Sequence, residues 1–291
     1  MMKYTNKYNL PTPMVKALTH DDYDYEATGD ISVTSLIKPP RIRQLEIRYA
    51  DQLVEDVSDR IWLLMGNMGH VLLEWADVKN ALQEERLSCE VLGWTVTGKA
   101  DLYEPPATVS DYKITSTWSV IYVKKEWEEQ LNLYAHLYRG AGFNINKLQV
   151  VAVLRDWVKS RARRESSYPQ VAVQLVPQRI WPDPVPYLES RVSMHQMAVK
   201  LADDDLPYCT AEERWEKEIQ YAVVKDGNKR ATRVYSDPLK ANQRIKQLEL
   251  SSSKSKKPVK YHLEERLGES TRCLFYCPVS SFCSQYKESI I

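Results

Sequence analysis

Three strand-like segments follow one another in the first half of the chain, and they constrain its fold more than any other feature. Leu87–Leu92, Trp94–Tyr103 and Thr108–Thr115 are rich in β-branched and aromatic residues. Gly93 separates the first two segments and Glu104-Pro105-Pro106 separates the last two, and both breaks are typical of turns. The pattern predicts consecutive strands whose neighbours run antiparallel.

The sequence around these strands predicts a mixed α/β fold. Residues 41–82 carry apolar side chains at helical spacing, and Pro39-Pro40 suits a helix entry, so this range is predicted to be helical. The other predicted helices are near Pro13–Thr19 and over 124–140 and 185–202, and the other predicted strands are Leu148–Leu154 and Gln170–Ile180.

Residues 207–291 predict a small α+β module separate from residues 1–206. Thr210 and Glu213 have the spacing of a capping box, which predicts the start of a helix. Asp226-Gly227 predicts a hairpin turn. The strands of that hairpin are predicted at Tyr221–Val224 and Arg230–Tyr235.

Composition limits the possible functions. The 291 residues are 43% hydrophobic and carry a formal net charge of +1, so any nucleic-acid surface must come from local clusters of cations. No apolar run approaches the roughly 18 to 20 residues that span a bilayer, and the N-terminus lacks an apolar signal core, which predicts a cytoplasmic protein without a membrane partner. The absence of a glycine-rich phosphate loop argues against an ATP-driven motor.

Two acids and a lysine on the predicted hairpin suggest metal chemistry. Asp101 and Asp111 are expected at the same end of adjacent strands, and Lys113 shares a strand face with Asp111. Paired carboxylates suit Mg²⁺ or Mn²⁺, and a neighbouring lysine can orient water or stabilise charge on a phosphate. Solvent-facing charges on a plain hairpin are the alternative.

Four short motifs in a fixed order resemble the RecB-type branch of the PD-(D/E)XK nuclease superfamily, which includes CRISPR-associated exonucleases and many phage proteins. They are Gly66 to His70, Gly98 to Asp101, Asp111 to Lys113, and Gln130 to Tyr134. The run Ser32–Arg41 and the phrase Asp111–Ser116 also resemble phage-encoded members. Ala100 replaces the proline that names the superfamily, as is common in this branch.

The resemblance implies a restriction-endonuclease-like core, in which helices flank a mixed central sheet, and a role for each motif residue. His70, Asp101, Asp111 and the Ile114 carbonyl would bind Mg²⁺ or Mn²⁺, and Lys113 would be the catalytic lysine. Gln130 and Tyr134 would position DNA or the catalytic groups. A supporting acid is expected at Glu85, with Glu84 and Glu90 as alternatives.

The implied activity is hydrolysis of DNA phosphodiester bonds, by an exonuclease acting on single- or double-stranded ends in recombination, repair or end processing. A non-cleaving DNA-binding or assembly protein on the same fold and a DNA endonuclease are the alternatives. A homo-oligomer or a recombination partner protein is compatible with the resemblance.

Three of the five cysteines lie within eleven residues near the C-terminus, which in a reducing compartment favours metal ligation over disulfides. The spacing Cys273-x3-Cys277-x5-Cys283 is one residue longer than the Cys-x2-Cys-x5-Cys of iron–sulfur RecB-type nucleases. In those proteins a distant cysteine completes a [4Fe–4S] cluster, and Cys209 is the best candidate here, ahead of Cys89. A structural zinc site, with His262 in place of one cysteine or without it, and reduced cysteines without metal remain open.

Local basic runs provide possible phosphate contacts, with solvated loops as the alternative. Trp118 follows the strand of Asp111 and is expected to pack under the loop, with base stacking as the other possibility. The basic runs are Lys159–Arg164, then Lys225, Lys229, Arg230 and Arg233, and then Lys254, Lys256, Lys257 and Lys260.

Overall fold

The chain is a mixed α/β protein that divides into two compact units, Met1–Leu206 and Pro207–Ile291. The computed structural model describes residues 3–20, 29–76, 78–253 and 259–289. Across the same segments, no helix is both long enough and apolar enough to cross a membrane.

The first unit contains most of the regular structure. Its strands are β1 Lys3–Thr5, β2 Ile31–Ser32, β3 Val54–Asp56, β4 Leu82–Gln83, β5 Arg86–Val91, β6 Trp94–Lys99, β7 Leu102–Glu104, β8 Thr108–Thr115, β9 Lys147–Leu154 and β10 Val173–Gln178. Its helices are α1 Thr12–Thr19, α2 Val33–Leu36, α3 Pro40–Arg48, α4 Ile61–Glu74, α5 Trp118–Ile121, α6 Lys125–Gly140, α7 Lys159–Ala162 and α8 Val185–Lys200.

A five-stranded sheet with the order β10-β9-β8-β7-β4 forms the centre of this unit. Strands β8 and β9 are parallel, from Thr108 opposite Lys147 to Thr115 opposite Leu154. Parallel neighbours need a crossover, and α6 provides it. Strands β7 and β10 pair antiparallel on either side of this pair. The predicted strand Thr108–Thr115 and the predicted helix over 124–140 are therefore confirmed.

Helix α6 covers the sheet with one apolar stripe. Trp127, Leu131, Tyr134 and Tyr138 recur at helical spacing, and each is at most 5% exposed. They belong to the main core together with Val109, Val150 and Ala152 from the strands. This packing fixes the helix that carries Gln130 and Tyr134 against the strand that carries Asp111.

The single strand predicted over Trp94–Tyr103 is wrong, because the chain passes between two sheets there. Strand β6 ends at Lys99 within a three-stranded sheet of order β2-β6-β5, and β7 begins at Leu102 within the central sheet. Ala100 is fully buried at the crossing. Asp101 consequently lies in a connection, directly before β7.

The prediction that residues 41–82 are helical is correct only for α3 and α4. Helix α3 ends at Arg48, and β3 then pairs parallel with β1 before α4 begins at Ile61. The Asp56 carboxylate stabilises this break, since Oδ2 accepts hydrogen bonds from Thr5 Oγ1 at 2.7 Å and from the Lys7 backbone at 2.8 Å. Pairing with a distant strand therefore overrides the helical periodicity.

The second unit is a three-stranded antiparallel sheet of order β12-β11-β13 with a helix packed on it. Its strands are β11 Gln220–Lys225, β12 Ala231–Tyr235 and β13 Tyr261–Arg266, and its helices are α9 Pro238–Ser252, α10 Thr271–Phe275 and α11 Ser284–Ser289. The predicted hairpin is confirmed as β11–β12.

The helix predicted to start at Thr210 does not form. The capping box itself is present: Glu213 N donates to Thr210 Oγ1 at 3.1 Å, and Thr210 N donates to Glu213 Oε2 at 2.8 Å. The chain then turns at Trp215, whose φ of 51° is left-handed, and Lys217 N bonds to Glu269 O at 3.1 Å. Pairing with the C-terminal segment thus ends the turn before a helix can extend.

Candidate active site

Asp111 occupies the buried middle of β8, at the point where its neighbour β7 ends. Strand β7 pairs with β8 only as far as Leu102 opposite Ser110. Beyond Ser110 that edge of β8 is free of β7, and the register places Asp101 beside Asp111. Asp111 is only 2% exposed. The two acids therefore meet at one end of the central sheet, as the hairpin pattern predicted.

Asp101 is held close to the backbone of β8. Its Oδ2 accepts a hydrogen bond from the Tyr112 N–H at 2.5 Å. Burial, together with the nearby charge of Asp111, raises the pKa of Asp101 to about 7. Two buried carboxylates this close repel each other when both are ionised, so the arrangement favours a bound cation.

Lys113 shares the face of Asp111, with its Nζ 2.7 Å from Asp111 Oδ2. The contact is an ion pair at hydrogen-bond distance, and it places the ammonium group directly against a carboxylate that is almost fully buried. Burial disfavours the lysine charge, but the Asp111 carboxylate outweighs burial and raises the pKa of Lys113. The lysine is therefore a fixed positive charge beside the carboxylates.

Gln130 joins Asp111 to Tyr134. Its Nε2 donates to Asp111 Oδ1 at 3.1 Å and to Tyr134 Oη at 2.9 Å, and all three residues are buried. Gly98 explains how the helix comes so near, because a Cβ at that position would lie 3.0 Å from the Tyr134 ring and 2.6 Å from Leu137. The glycine of the Gly98–Asp101 motif thus allows α6 to pack directly on β6.

His70 reaches the site from α4. Its Nδ1 lies 3.5 Å from Asp101 Oδ1 and 3.4 Å from Glu84 Oε1. The hydrogen bond with Glu84 raises the pKa of His70 against the opposing effect of burial. Gly69 lets the helix approach β8, because a Cβ there would lie 2.8 Å from Ile114 Cδ1, whereas a Cβ at Gly66 would meet nothing within 4 Å. Gly69 rather than Gly66 is therefore the glycine that packing requires.

Glu84 is the acid that completes the group, in place of the expected Glu85. The ligand atoms of His70, Glu84 and Asp101 all lie within 4.8 Å of one another. Glu84 has a left-handed φ of 54°, and Lys99 Nζ lies 2.5 Å from its Oε2. The sequence contained no periodicity that could separate Glu84 from Glu85, because both lie in the turn before β5.

The Ile114 carbonyl points toward the same group. In a strand, the N–H and C=O of one residue share an edge and those of the next residue use the other. Thr115 O accepts from Arg155 N at 2.9 Å on the β9 side, whereas Tyr112 N donates to Asp101 on the opposite edge. The Ile114 C=O therefore faces the edge where Asp101 lies.

The second unit holds four cysteines near one another: Cys209, Cys273, Cys277 and Cys283. Burial, reinforced by the neighbouring thiols, raises the pKa of Cys209 to about 12 and that of Cys277 to about 11. All five cysteines lie in described segments, and no disulfide links them. Among the described residues, no three of the sulfurs lie within 4.8 Å of one another.

Gln285 fixes Cys209 to the C-terminal segment. Its side chain accepts from Cys209 N and donates to Cys209 O, both at 2.8 Å, in a buried position. His262, the alternative zinc ligand, instead places Nδ1 2.7 Å from Asp226 Oδ1 on the sheet. Cys89 lies on β5, in the other unit. The structure thus groups Cys209 with the C-terminal cysteines.

The predicted DNA contacts fall in different surroundings. Trp118 is 64% exposed, so the expectation that it packs under a loop is wrong. Lys159–Ala162 forms α7, directly after β9. Two of the hairpin cations, Lys229 and Arg230, line a pocket of about 500 Å³ together with Arg266. Lys254, Lys256 and Lys257 lie outside the described residues.

Comparison with known proteins adds little to this geometry. No protein-family model matches the sequence, and no curated protein matches it. A solved structure entitled "Crystal structure of SSO0001" is similar with a TM-score of 0.42 and 18% identity, over 63% of this chain and 84% of that chain. The functional argument therefore depends on the residues of the site.

Proposed function

We propose that this chain is a metal-dependent DNA nuclease of the RecB-type branch of the PD-(D/E)XK superfamily, acting as an exonuclease. The observation that carries the proposal is the meeting of Asp101, Asp111 and Lys113 where β7 and β8 part, with Gln130 bonded to Asp111. Residues from strand β8, helix α6 and the connection between β6 and β7 converge there. A solvent-facing hairpin, the alternative for these charges, would not bury Asp111 to 2% exposure.

The donors fit Mg²⁺ or Mn²⁺. Carboxylate oxygens, one imidazole and a backbone carbonyl are ligands for such ions, and burial beside Asp111, which raises the pKa of Asp101, supports a site whose carboxylates a cation would stabilise. His70, Glu84, Asp101, Asp111 and the Ile114 carbonyl are the residues that would hold the ion. When bound, the ion would supply Lewis acidity and a more acidic water.

The remaining residues have roles in this proposal that follow from their contacts. Lys113 Nζ would stabilise negative charge on the scissile phosphate or orient a water beside Asp111. Gln130 would hold the Asp111 carboxylate in one orientation through Oδ1, and Tyr134 would in turn position the Gln130 amide. Lys99 would hold Glu84. The chain's own side chains thus preorganise the site.

We also propose that the four cysteines of the second unit hold a [4Fe–4S] cluster with a structural role. A single zinc ion with Zn–S bonds of about 2.3 Å needs sulfurs about 3.8 Å apart. Among the described residues, no three of these sulfurs lie within 4.8 Å of one another, so zinc ligation would require them to move closer. The support for the iron–sulfur cluster is the spacing of Cys273, Cys277 and Cys283, which resembles that of iron–sulfur nucleases. Such a protein would work in the cytoplasm, which for a phage-encoded chain is that of the host.

The test is digestion of end-labelled single- and double-stranded DNA with Mg²⁺ or Mn²⁺. We expect cleavage of linear DNA, no cleavage of covalently closed circles, and loss of cleavage in Asp111→Ala and in Lys113→Ala. Lys147→Ala, on the neighbouring strand β9 and exposed, is the matched control and should cleave normally.

Full activity in either site variant would refute the assignment. Cleavage of closed circles would indicate an endonuclease. Binding of DNA without cleavage of any form would indicate a DNA-binding protein on this fold.

A further inference from the structure

A group of exposed aromatic residues lies at the edge of the sheet beyond the carboxylate site. Trp118 and Tyr122 on and after α5 are 64% and 60% exposed, and Trp62 at the start of α4 is 53% exposed. Arg155 directly follows β9, and its guanidinium carbon lies 4.0 Å from the centroid of the Trp62 ring. We call Trp62, Trp118, Tyr122 and Arg155 the stacking surface.

The fold fixes these residues at one edge. Strands β8 and β9 are parallel and end in register, so α5 and Arg155 both follow the carboxyl ends of neighbouring strands. Arg155 N donates to Thr115 O at 2.9 Å, and Thr117 N donates to Asp156 Oδ1 at 2.6 Å. Ligands of open α/β sheets bind outside the carboxyl ends of strands.

The rings are presented as flat surfaces rather than packed into the core. Trp118 and Tyr122 have centroids 4.4 Å apart with their planes tilted by 47°, yet each remains more than half exposed. By contrast, Trp127, which follows soon after in the sequence but lies on α6, is 5% exposed. Open aromatic faces and a guanidinium plane are the groups on which unpaired bases stack.

The charges around the stacking surface suit a polyanion. Within the described residues, Arg155, Lys159 and Arg163 have no carboxylate partner. The nearby acid Asp156 accepts from both the backbone and the hydroxyl of Thr117. These cations would contribute nothing to the docking of an apolar protein, whereas they would attract the phosphates of a nucleic acid.

We propose that the stacking surface binds the unpaired bases of single-stranded DNA next to the carboxylate site. This inference rests on the proposed nuclease function, because the DNA strand bound at the stacking surface would continue into the carboxylate site, where its phosphate would be cleaved. Thr115, at the end of β8, lies four residues beyond Asp111, about 13 Å along the strand. The stacked bases would therefore hold the strand a short distance from the point of cleavage.

The test is binding of fluorescent oligothymidine in EDTA, measured by anisotropy, beside an oligonucleotide of equal length with abasic sites. The Trp118→Ala/Tyr122→Ala double variant should weaken oligothymidine binding about tenfold, since stacking on one base accounts for roughly fivefold to hundredfold in affinity. Binding of the abasic strand should not change. Trp118→Phe should retain most of the affinity, and Trp75→Ala, a tryptophan 74% exposed at the other end of α4, should match the wild type.

Unchanged oligothymidine binding in the double variant, or an equal loss on the abasic strand, would overturn the proposal. So would a variant that alters self-association in sedimentation without altering DNA binding, because the surface would then dock protein. Since EDTA prevents metal-dependent cleavage, base-dependent binding in a protein that cleaves nothing would preserve this inference and refute the nuclease. Cleavage without base-dependent binding would support the nuclease and refute the stacking surface.

Discussion

The candidate carboxylate site of the first unit and the cysteine group of the second unit are built from opposite kinds of structure. Asp111 lies in the middle of an eight-residue strand, and Gln130 comes from a sixteen-residue helix packed on that strand. The cysteines lie on a turn, on the five-residue α10 and on the loops beside a three-residue turn of 3-10 helix.

The two groups also differ in how their charges are balanced. The charges of the first site are balanced by Lys113 on Asp111 and Lys99 on Glu84. Burial raises the pKa of the Cys209, Cys273 and Cys277 thiols, so without a metal these three are neutral. The comparison suggests that the first site is built by the fold, whereas the fold of the second unit depends on what its cysteines bind.

The largest expected effect is the loss of a cluster ligand. Cys283→Ser should remove bound iron and make the second unit sensitive to protease, because metal binding contributes on the order of 10 kcal/mol to the folding of such small modules. The first unit should stay resistant. Iron content, absorption near 400 nm in an anaerobic preparation and limited proteolysis measure this outcome.

Cys89→Ser is the matched control, because Cys89 lies on a strand of the first unit. A colourless wild-type protein with stoichiometric zinc would replace the iron cluster by a zinc site. If neither metal is present and Cys283→Ser leaves the second unit protease-resistant, the fold of that unit does not depend on a bound metal and the contrast between the two units is wrong.

The second largest expected effect is that of removing the Glu84 carboxylate, which the tertiary structure places in the first site. Glu84→Gln should lower the cleavage rate and the Mn²⁺ affinity roughly hundredfold, since even supporting groups around a metal contribute tenfold to hundredfold. The fold should not change. Rates at increasing Mn²⁺ and Mn²⁺ titration by electron paramagnetic resonance measure the effect.

Glu85→Gln provides the neighbouring control and should stay within a few-fold of the wild type. Equal losses in the two variants would show that Glu84 has no special place in the site.

Acid should destabilise the first unit through His195. This histidine is fully buried on α8, and burial lowers its pKa to about 4 from an ordinary value of 6.5. The neutral ring therefore contributes stability above pH 6.5, and this contribution of up to about 3 kcal/mol is lost as the pH falls from 6.5 toward 4. Denaturant unfolding at several pH values measures the slope.

His195→Gln should flatten the slope of the unfolding free energy between pH 6.5 and 4. His136→Gln, on α6, should leave it as in the wild type. An unchanged slope in His195→Gln would mean that other groups cause the acid sensitivity.

The smallest effects compare two buried glutamines with similar contacts. Gln130→Ala should reduce cleavage about tenfold with little change in metal content, because Asp111 loses the donor that orients it. Gln285→Ala should leave the cleavage rate unchanged but destabilise the second unit by about 2 kcal/mol, because the Cys209 N–H and C=O lose their partner. Activity and protease protection of both variants would separate the roles, and the reverse pattern would contradict them.

Local sequence patterns predicted the elements whose periodicity agreed with their packing. Strand β8 and helix α6 have the predicted positions because Val109 in one and the Trp127–Tyr138 stripe in the other face a single core. The prediction that residues 41–82 are helical was only partly correct. Its apolar periodicity continued through residues 54–56, which form β3 because they pair with β1. The Thr210 helix failed for the same reason, since a distant strand-like segment took its backbone bonds.

By itself, the sequence determined the composition of the candidate site: the residues His70, Asp101, Asp111, Lys113, Gln130 and Tyr134 and their order along the chain. Only the tertiary structure selected Glu84 over Glu85, grouped Cys209 with the C-terminal cysteines and left Trp118 exposed. The physical reason is that a spacing motif reports neighbours within one strand or helix. Contacts between segments far apart in sequence depend on sheet register and on close approaches such as that of Gly98 to α6, which no local pattern encodes.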